Sequence, residues 1–179
     1  MSFYTEAAYE NAIIDLFQNE LNYDYVYGPD VERDFTSPLY DEVLEESLRR
    51  INKSAPYDAI QDALHRLRNI ENGALPQKNA VFTDFLQNGI PARYTEKGEE
   101  RSTIIYLVDY EHPENNSYIA ANQWTFIENS EKRPDVILFL NGIPIVMMEL
   151  KSPSREETDA SEAYLQLRNY MHEIVDVRL

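Results

Sequence analysis

Asp135, Glu149 and Lys151 are the residues of this sequence whose types and spacing could do chemistry. Asp135 opens the apolar run Val136-Ile137-Leu138-Phe139-Leu140, and Glu149 and Lys151 close a second run, Ile145 to Met148. Between the runs stands Asn141-Gly142, a pair that tolerates the positive φ of a tight turn. The segment therefore reads as a hairpin with its charges at the far ends. Glu149 and Lys151 are two apart and share a face of an extended strand. Two carboxylates converging at the end of buried strands repel each other unless a cation sits between them. With hard oxygen ligands and positions left for water, the natural cation is Mg²⁺. A lysine beside it can orient an attacking water or stabilise developing negative charge. These are the parts needed to hydrolyse a phosphodiester.

The hairpin that must position these groups makes its own demands. Both runs are apolar on both faces, which places the strands inside a covered sheet. If Asn141 and Gly142 were the whole connection, Leu140 would pair with Ile143 and Asp135 with Met148. Asp135 would then face away from Glu149. A one-residue slip swaps faces, so a three-residue loop or a β-bulge is expected, either of which sets Asp135 opposite Glu149.

Upstream, residues 3–21 carry Tyr9, Ile13, Leu16 and Phe17 at helical spacing. Glu6 falls on that stripe and Glu10 on its flank. Glu6 reads either as an acidic residue favoured by the helix dipole or as a third acidic group reaching the site. Residues 23–33 are tyrosine-rich and broken by Gly28-Pro29, giving an extended segment and a turn. Three helices follow. One begins at Ser37-Pro38, with Leu39, Val43, Leu44 and Leu48 inward. A second begins at Pro56, with Ile60, Leu64 and Leu67 inward. The third spans Lys78 to Asn88, with Val81, Phe82, Phe85 and Leu86 inward and Gly89 as its stop. Thr95 to Arg101 reads as a charged, mobile loop. Residues 103–110 and 117–127 read as strands, joined by the turn residues His112 to Asn116 into an antiparallel hairpin. Beyond Ser152-Pro153-Ser154 a helix is expected over Glu156 to Glu173, with Gln166 and Tyr170 one turn apart.

Composition bounds the function. The 179 residues, 43% of them hydrophobic, suit one domain with a real core. There is no cysteine, and His65, His112 and His172 are scattered, which leaves no thiolate or histidine metal centre. No signal peptide and no apolar run of about 18 residues is visible, so a soluble, cytoplasmic protein without membrane contact is expected. No GxxxxGK[ST] loop occurs, which argues against ATP hydrolysis by this chain. The net charge of −16 opposes unaided DNA binding. Lys132, Arg133, Lys151 and Arg155 are the basic residues nearest the proposed site in sequence.

Pro134-Asp135 followed by Glu149-Leu150-Lys151 resembles the PD-(D/E)xK nuclease motif. Asn122-Gln123-Trp124-Thr125-Phe126, Arg133-Pro134-Asp135, Asn141-Gly142-Ile143-Pro144, Glu149-Leu150-Lys151-Ser152-Pro153 and Gln166 to Tyr170 in succession resemble the N-terminal region of the R (restriction) subunit of type I restriction-modification enzymes. Tyr27-Gly28 and the early helix fit the same pattern. The resemblance covers nearly the whole chain and fades after Tyr170. It implies an α/β, RecB-like fold: a central mixed β-sheet flanked by helices, with a helical insertion over about 36–89 and a catalytic core over about 103–175. It implies that Asp135 and Glu149 bind Mg²⁺, that Lys151 is the catalytic lysine, that Gln166 and Tyr170 form a QxxxY element, and that Glu6 is the acidic residue of the first helix. The partners implied are double-stranded DNA and the methylation and specificity subunits, with ATP used only by a motor domain outside this chain, a fragment of a longer subunit. Two rival readings are a catalytically inert docking module of the same fold and a stand-alone RecB-like repair nuclease.

Overall fold

Thr5 starts the first helix by accepting the Ala8 N–H on its side-chain oxygen, with Glu6 in the first turn where the helix dipole favours an anion. In this computed structural model the described residues are 5–70, 74–127, 131–150, 164, 165 and 168. Their elements in chain order are α1 (Glu6–Asn19), β1 (Asp24–Tyr27), α2 (Asp41–Ile51), α3 (Tyr57–Arg68), α4 (Leu75–Asn88), β2 (Ile90–Glu96), β3 (Glu99–Ile105), β4 (Tyr118–Asn122), β5 (Phe126–Ile127), β6 (Glu131–Lys132), β7 (Val136–Leu140) and β8 (Ile143–Met148). They make two compact units. One holds the described residues up to Tyr40 and from Tyr118 onward; the other holds those of 41–117.

The first unit is built on a sheet of order β1-β4-β7-β8. β1 runs parallel to β4, while β4 with β7 and β7 with β8 are antiparallel. The fold class is the expected one, mixed α/β around a mixed sheet, with α1 packed on that sheet. Three of the five residues of β7 (Val-Ile-Leu-Phe-Leu) are β-branched or aromatic, and its first four are buried. Its side chains alternate between two cores. Val136 and Leu138 meet Ala120 and Ile14 on the α1 face, with Ile13, Phe17, Tyr23, Met148 and Leu150 packed around them. Phe139 meets Trp124 at 4.8 Å between ring centroids, and Tyr40 lies 5.0 Å from Trp124 and 6.0 Å from Phe139. These tilted and edge contacts are the arrangements aromatic quadrupoles favour.

The β7–β8 connection is a two-residue turn with Asn141 at φ 52° and Gly142 at φ 79°. The Gly142 carbonyl accepts the Tyr40 N–H at 2.8 Å. The expected irregularity is present as a bulge: Phe139 pairs with Pro144, yet Leu138 pairs with Val146 and Val136 with Met148. Covering on both faces is not uniform. β8 lies at the sheet edge among the described residues, and Ile145 and Val146 are exposed.

Several sequence expectations need correction. Residues 103–110 and 117–127 do not pair. β3 instead pairs antiparallel with β2, from Ile90↔Ile105 to Glu96↔Glu99, and β4 pairs with β1 and β7. The cause is Lys97-Gly98, both at positive φ, which close a tight hairpin inside what reads as a charged loop. His112 to Asn116 are folded on Asp109, whose carboxylate accepts the Glu111 and His112 N–H groups and the Asn115 amide. Those bonds hold Asp109 below the usual carboxylate range, the Asn115 side chain contributing most.

The second unit contains the expected helices with shifted edges. α2 begins at Asp41, because Ser37 spends its hydroxyl accepting the Leu39 N–H and so makes a turn. α3 buries Ala59, Ile60, Ala63, Leu64 and Leu67. α4 begins three residues earlier than expected and ends at Gly89 as expected, but no residue of it is fully buried and Val81 is exposed.

Candidate nuclease site

The bulge decides the geometry of the site. With Val136 opposite Met148, the next pair in register is Asp135 and Glu149. Asp135 Oδ2 accepts the Leu150 N–H at 2.6 Å, tying the start of β7 to the chain leaving β8. Asp135 is half-buried, and Glu149 Oε2 is buried. Two carboxylates thus stand at one end of one hairpin, each partly withdrawn from water.

Among the described residues no group of three or more His, Asp or Glu side chains is placed to hold a metal ion. Two carboxylates are nonetheless the donor set that Mg²⁺ takes from a protein when water and substrate oxygens supply the rest. The residues present therefore fit that ion. Lys151, Gln166 and Tyr170 lie outside the described residues.

Glu6 is exposed in the first turn of α1. A second α1 carboxylate, Glu10, reaches the end of β4. Its Oε1 accepts the Asn122 amide at 2.6 Å, and both of its oxygens lie 3.2 Å from the Gln123 amide nitrogen. The Tyr25 hydroxyl donates to Asn122 Oδ1 at 2.9 Å. Burial raises the Tyr25 pKa, partly offset by that hydrogen bond. These contacts lie at the end of β4, one step from the site, because Asn122 pairs with Val136 and the Gln123 N–H donates to the Asp135 carbonyl at 3.3 Å. The stripe of Tyr9, Ile13, Leu16 and Phe17 read from the sequence leaves Glu10 on its flank. Leu16 is exposed and Ile14 is buried, so the inward face holds Glu10, Ile13, Ile14 and Phe17.

Gln123 is in the left-handed region at φ 54°. That conformation costs a side-chain-bearing residue about 1–2 kcal/mol. Gly28 makes room for it: a Cβ at Gly28 would lie 2.7 Å from the Gln123 carbonyl oxygen and 2.9 Å from that of Asn122. Both obstacles are backbone and cannot swing away. Gly28→Ala is expected to destabilise the chain by about 1–3 kcal/mol, read as a lower urea midpoint at unchanged m-value.

Beyond Gln123 the chain enters the aromatic core. The Arg33 guanidinium lies 3.9 Å from the Trp124 ring centroid and 4.8 Å from that of Phe35, and donates to the Asp34 and Thr125 carbonyls. Burial pushes its pKa down, and the ring faces supply part of the lost solvation.

The model of the type I restriction enzyme R protein N terminus matches residues 3–178. The endonuclease subunit of the type I restriction enzyme HindI of Haemophilus influenzae is 32% identical over 167 residues, covering 88% of this chain and 16% of that protein. The putative type I restriction enzyme MjaIXP endonuclease subunit of Methanocaldococcus jannaschii is 29% identical over 175 residues, 92% of this chain and 17% of that protein. The chain thus spans about a sixth of the length of these relatives. With a match running from residue 3 to residue 178, the chain belongs to the family of type I restriction enzyme R protein N-terminal regions.

Proposed function

We propose that this chain is the endonuclease domain of a type I restriction enzyme R subunit, and that it hydrolyses phosphodiesters of double-stranded foreign DNA with Mg²⁺ held by Asp135 and Glu149. The observation that carries the reading is the bulged β7–β8 register, which sets those carboxylates opposite each other in a member of this family. Mg²⁺ bound there would supply charge to neutralise the phosphoryl oxygens and acidify an attacking water. The chain's own residues do the rest. Asp135 is oriented by the Leu150 N–H. Glu149 presents a carboxylate from the outgoing end of β8. Lys151, two residues further along the sequence, is proposed to stabilise negative charge developing on the phosphate by its own positive charge. Gln166 and Tyr170 are proposed to complete the site, Gln166 by hydrogen bonding to water or phosphate.

In this reading the motor domain and the methylation and specificity subunits grip the DNA, ATP is used only by the motor, and the assembly works in the cytoplasm. No described helix is long and apolar enough to cross a membrane. The net charge of −16 favours a second reading, an inert docking module of the same fold. Titration of the 179-residue chain with Mn²⁺ by calorimetry separates the two. Heat in the wild type that vanishes in Asp135→Ala and in Glu149→Ala is the expected result. A wild type that takes up no Mn²⁺ leaves the docking module.

A further inference from the structure

The end of β4 holds an arrangement that the proposed chemistry does not yet use. Gln123 sits in the left-handed region, a conformation that no local feature of its own side chain favours. Among the described residues the other non-glycine positions with positive φ are Asn22, Asn141 and Lys97. Two are asparagines, which tolerate this region, and Lys97 is held by a tight hairpin turn. Gln123 is in no such turn. What holds it is tertiary: its amide is clamped on Glu10 of α1, and its carbonyl is packed over Gly28. Backbone outliers that are fixed by their surroundings concentrate at functional sites. Here the consequence is local and specific, since this conformation aims the Gln123 N–H at the carbonyl of Asp135.

We propose that Gln123, locked in its left-handed conformation by Glu10, is a positioning residue that fixes the backbone of Asp135 for metal binding. The inference rests on the metal role assigned to Asp135 above. Two hydrogen bonds to Asp135 then act together: Gln123 N–H holds its carbonyl, and Leu150 N–H holds its carboxylate. In this proposal Glu10 acts through Gln123, since both of its oxygens accept the Gln123 amide and Oε1 also accepts that of Asn122. Outer groups of this kind commonly set metal affinity by about 10–100-fold.

The test is Mn²⁺ titration of the whole 179-residue chain, wild type against Gln123→Gly, Glu10→Ala and the double variant, with a melting curve for each. Glycine adopts positive φ without strain, so Gln123→Gly keeps its N–H and its fold but loses the clamp. The expected result is Mn²⁺ affinity lowered about 10–100-fold in Gln123→Gly with no fall in melting temperature. Glu10→Ala should lose a similar factor, and the double variant no more than either single one, since both changes break one link. Wild-type affinity in Gln123→Gly overturns the proposal. So do losses that multiply in the double variant, which would make Glu10 an independent ligand, and so does a Gln123→Gly chain that melts earlier, which would make the residue a matter of folding. A wild type that binds no Mn²⁺ overturns the metal reading itself, an outcome distinct from equal binding by all four chains.

Discussion

On the function proposed above, DNA cleavage by the assembled restriction enzyme is expected to fall about 10³-fold when Asp135 is replaced by asparagine, since a metal clamp would contribute several kcal/mol of transition-state stabilisation and each 1.36 kcal/mol is a factor of ten. The substitution is chosen because it changes charge and little else. Asparagine keeps an oxygen where Asp135 Oδ2 accepts the Leu150 N–H, so the junction between β7 and β8 is retained. The backbone bond from Gln123 is untouched, as its acceptor is the Asp135 carbonyl. The melting temperature should therefore stay within a degree or two of wild type, and ATP hydrolysis by the assembled enzyme should continue. Conversion of supercoiled plasmid to nicked and linear forms, in Mg²⁺ with the partner subunits present, measures the effect. Wild-type cleavage by Asp135→Asn would remove this corner from the chemistry and leave the docking reading standing. Lys151→Arg is a companion: it keeps a positive charge and loses the compact ammonium, so unchanged cleavage there would show that any cation serves.

The largest effect on stability is expected at Trp124. Trp124→Ala should destabilise the chain by about 4 kcal/mol, within the range for removing a large aromatic from a core. Trp124 is fully buried and in ring contact with Tyr40 and Phe139. It also lies under the Arg33 guanidinium, so its removal takes the ring face from a charge that burial already disfavours. Trp124→Phe should cost far less. It keeps an aromatic face for Arg33, and it deletes an indole N–H that has no acceptor among the described residues. Urea titration followed by far-ultraviolet circular dichroism is the suitable probe, because Trp124 is the single tryptophan and its fluorescence leaves with it. Equal losses in the two variants would mean that indole shape, and not the aromatic platform, is what the core requires.

The legibility of this protein varies along the chain for physical reasons. The hairpin could be read because its signals are local: two apolar runs, an Asn-Gly turn, and charges at fixed offsets. Even the need for a shifted register could be deduced, since side-chain alternation allows two carboxylates to meet across a hairpin only in the right register, but whether a bulge or a three-residue loop supplies the shift could not. α3 was legible for the same reason, its inward residues being spaced at one helical period. The partnership of β3 could not be read, because a strand's neighbour is chosen by competition among distant segments. The dense charge of Glu96 to Arg101 also disguises a tight turn as a loop. The choice between Glu6 and Glu10 turned on the roll of α1 about its axis, about 100° per residue for a period of 3.6. Only packing on the sheet fixes that roll.

The sequence by itself determined the chemistry on offer: a pair of carboxylates flanking an apolar hairpin, a lysine two residues beyond the second, no cysteine and no phosphate loop. It also determined the family, because the motifs follow one another in order along nearly the whole chain. Only the tertiary structure decided which groups support those carboxylates. Glu10 and Gln123 are 113 residues apart, and Gly28 and Gln123 meet only because β1 lies parallel to β4. Contacts of that range carry no local periodicity, and a left-handed glutamine has no signature of its own. They arise when the sheet closes, and Asp135 is held in place only then.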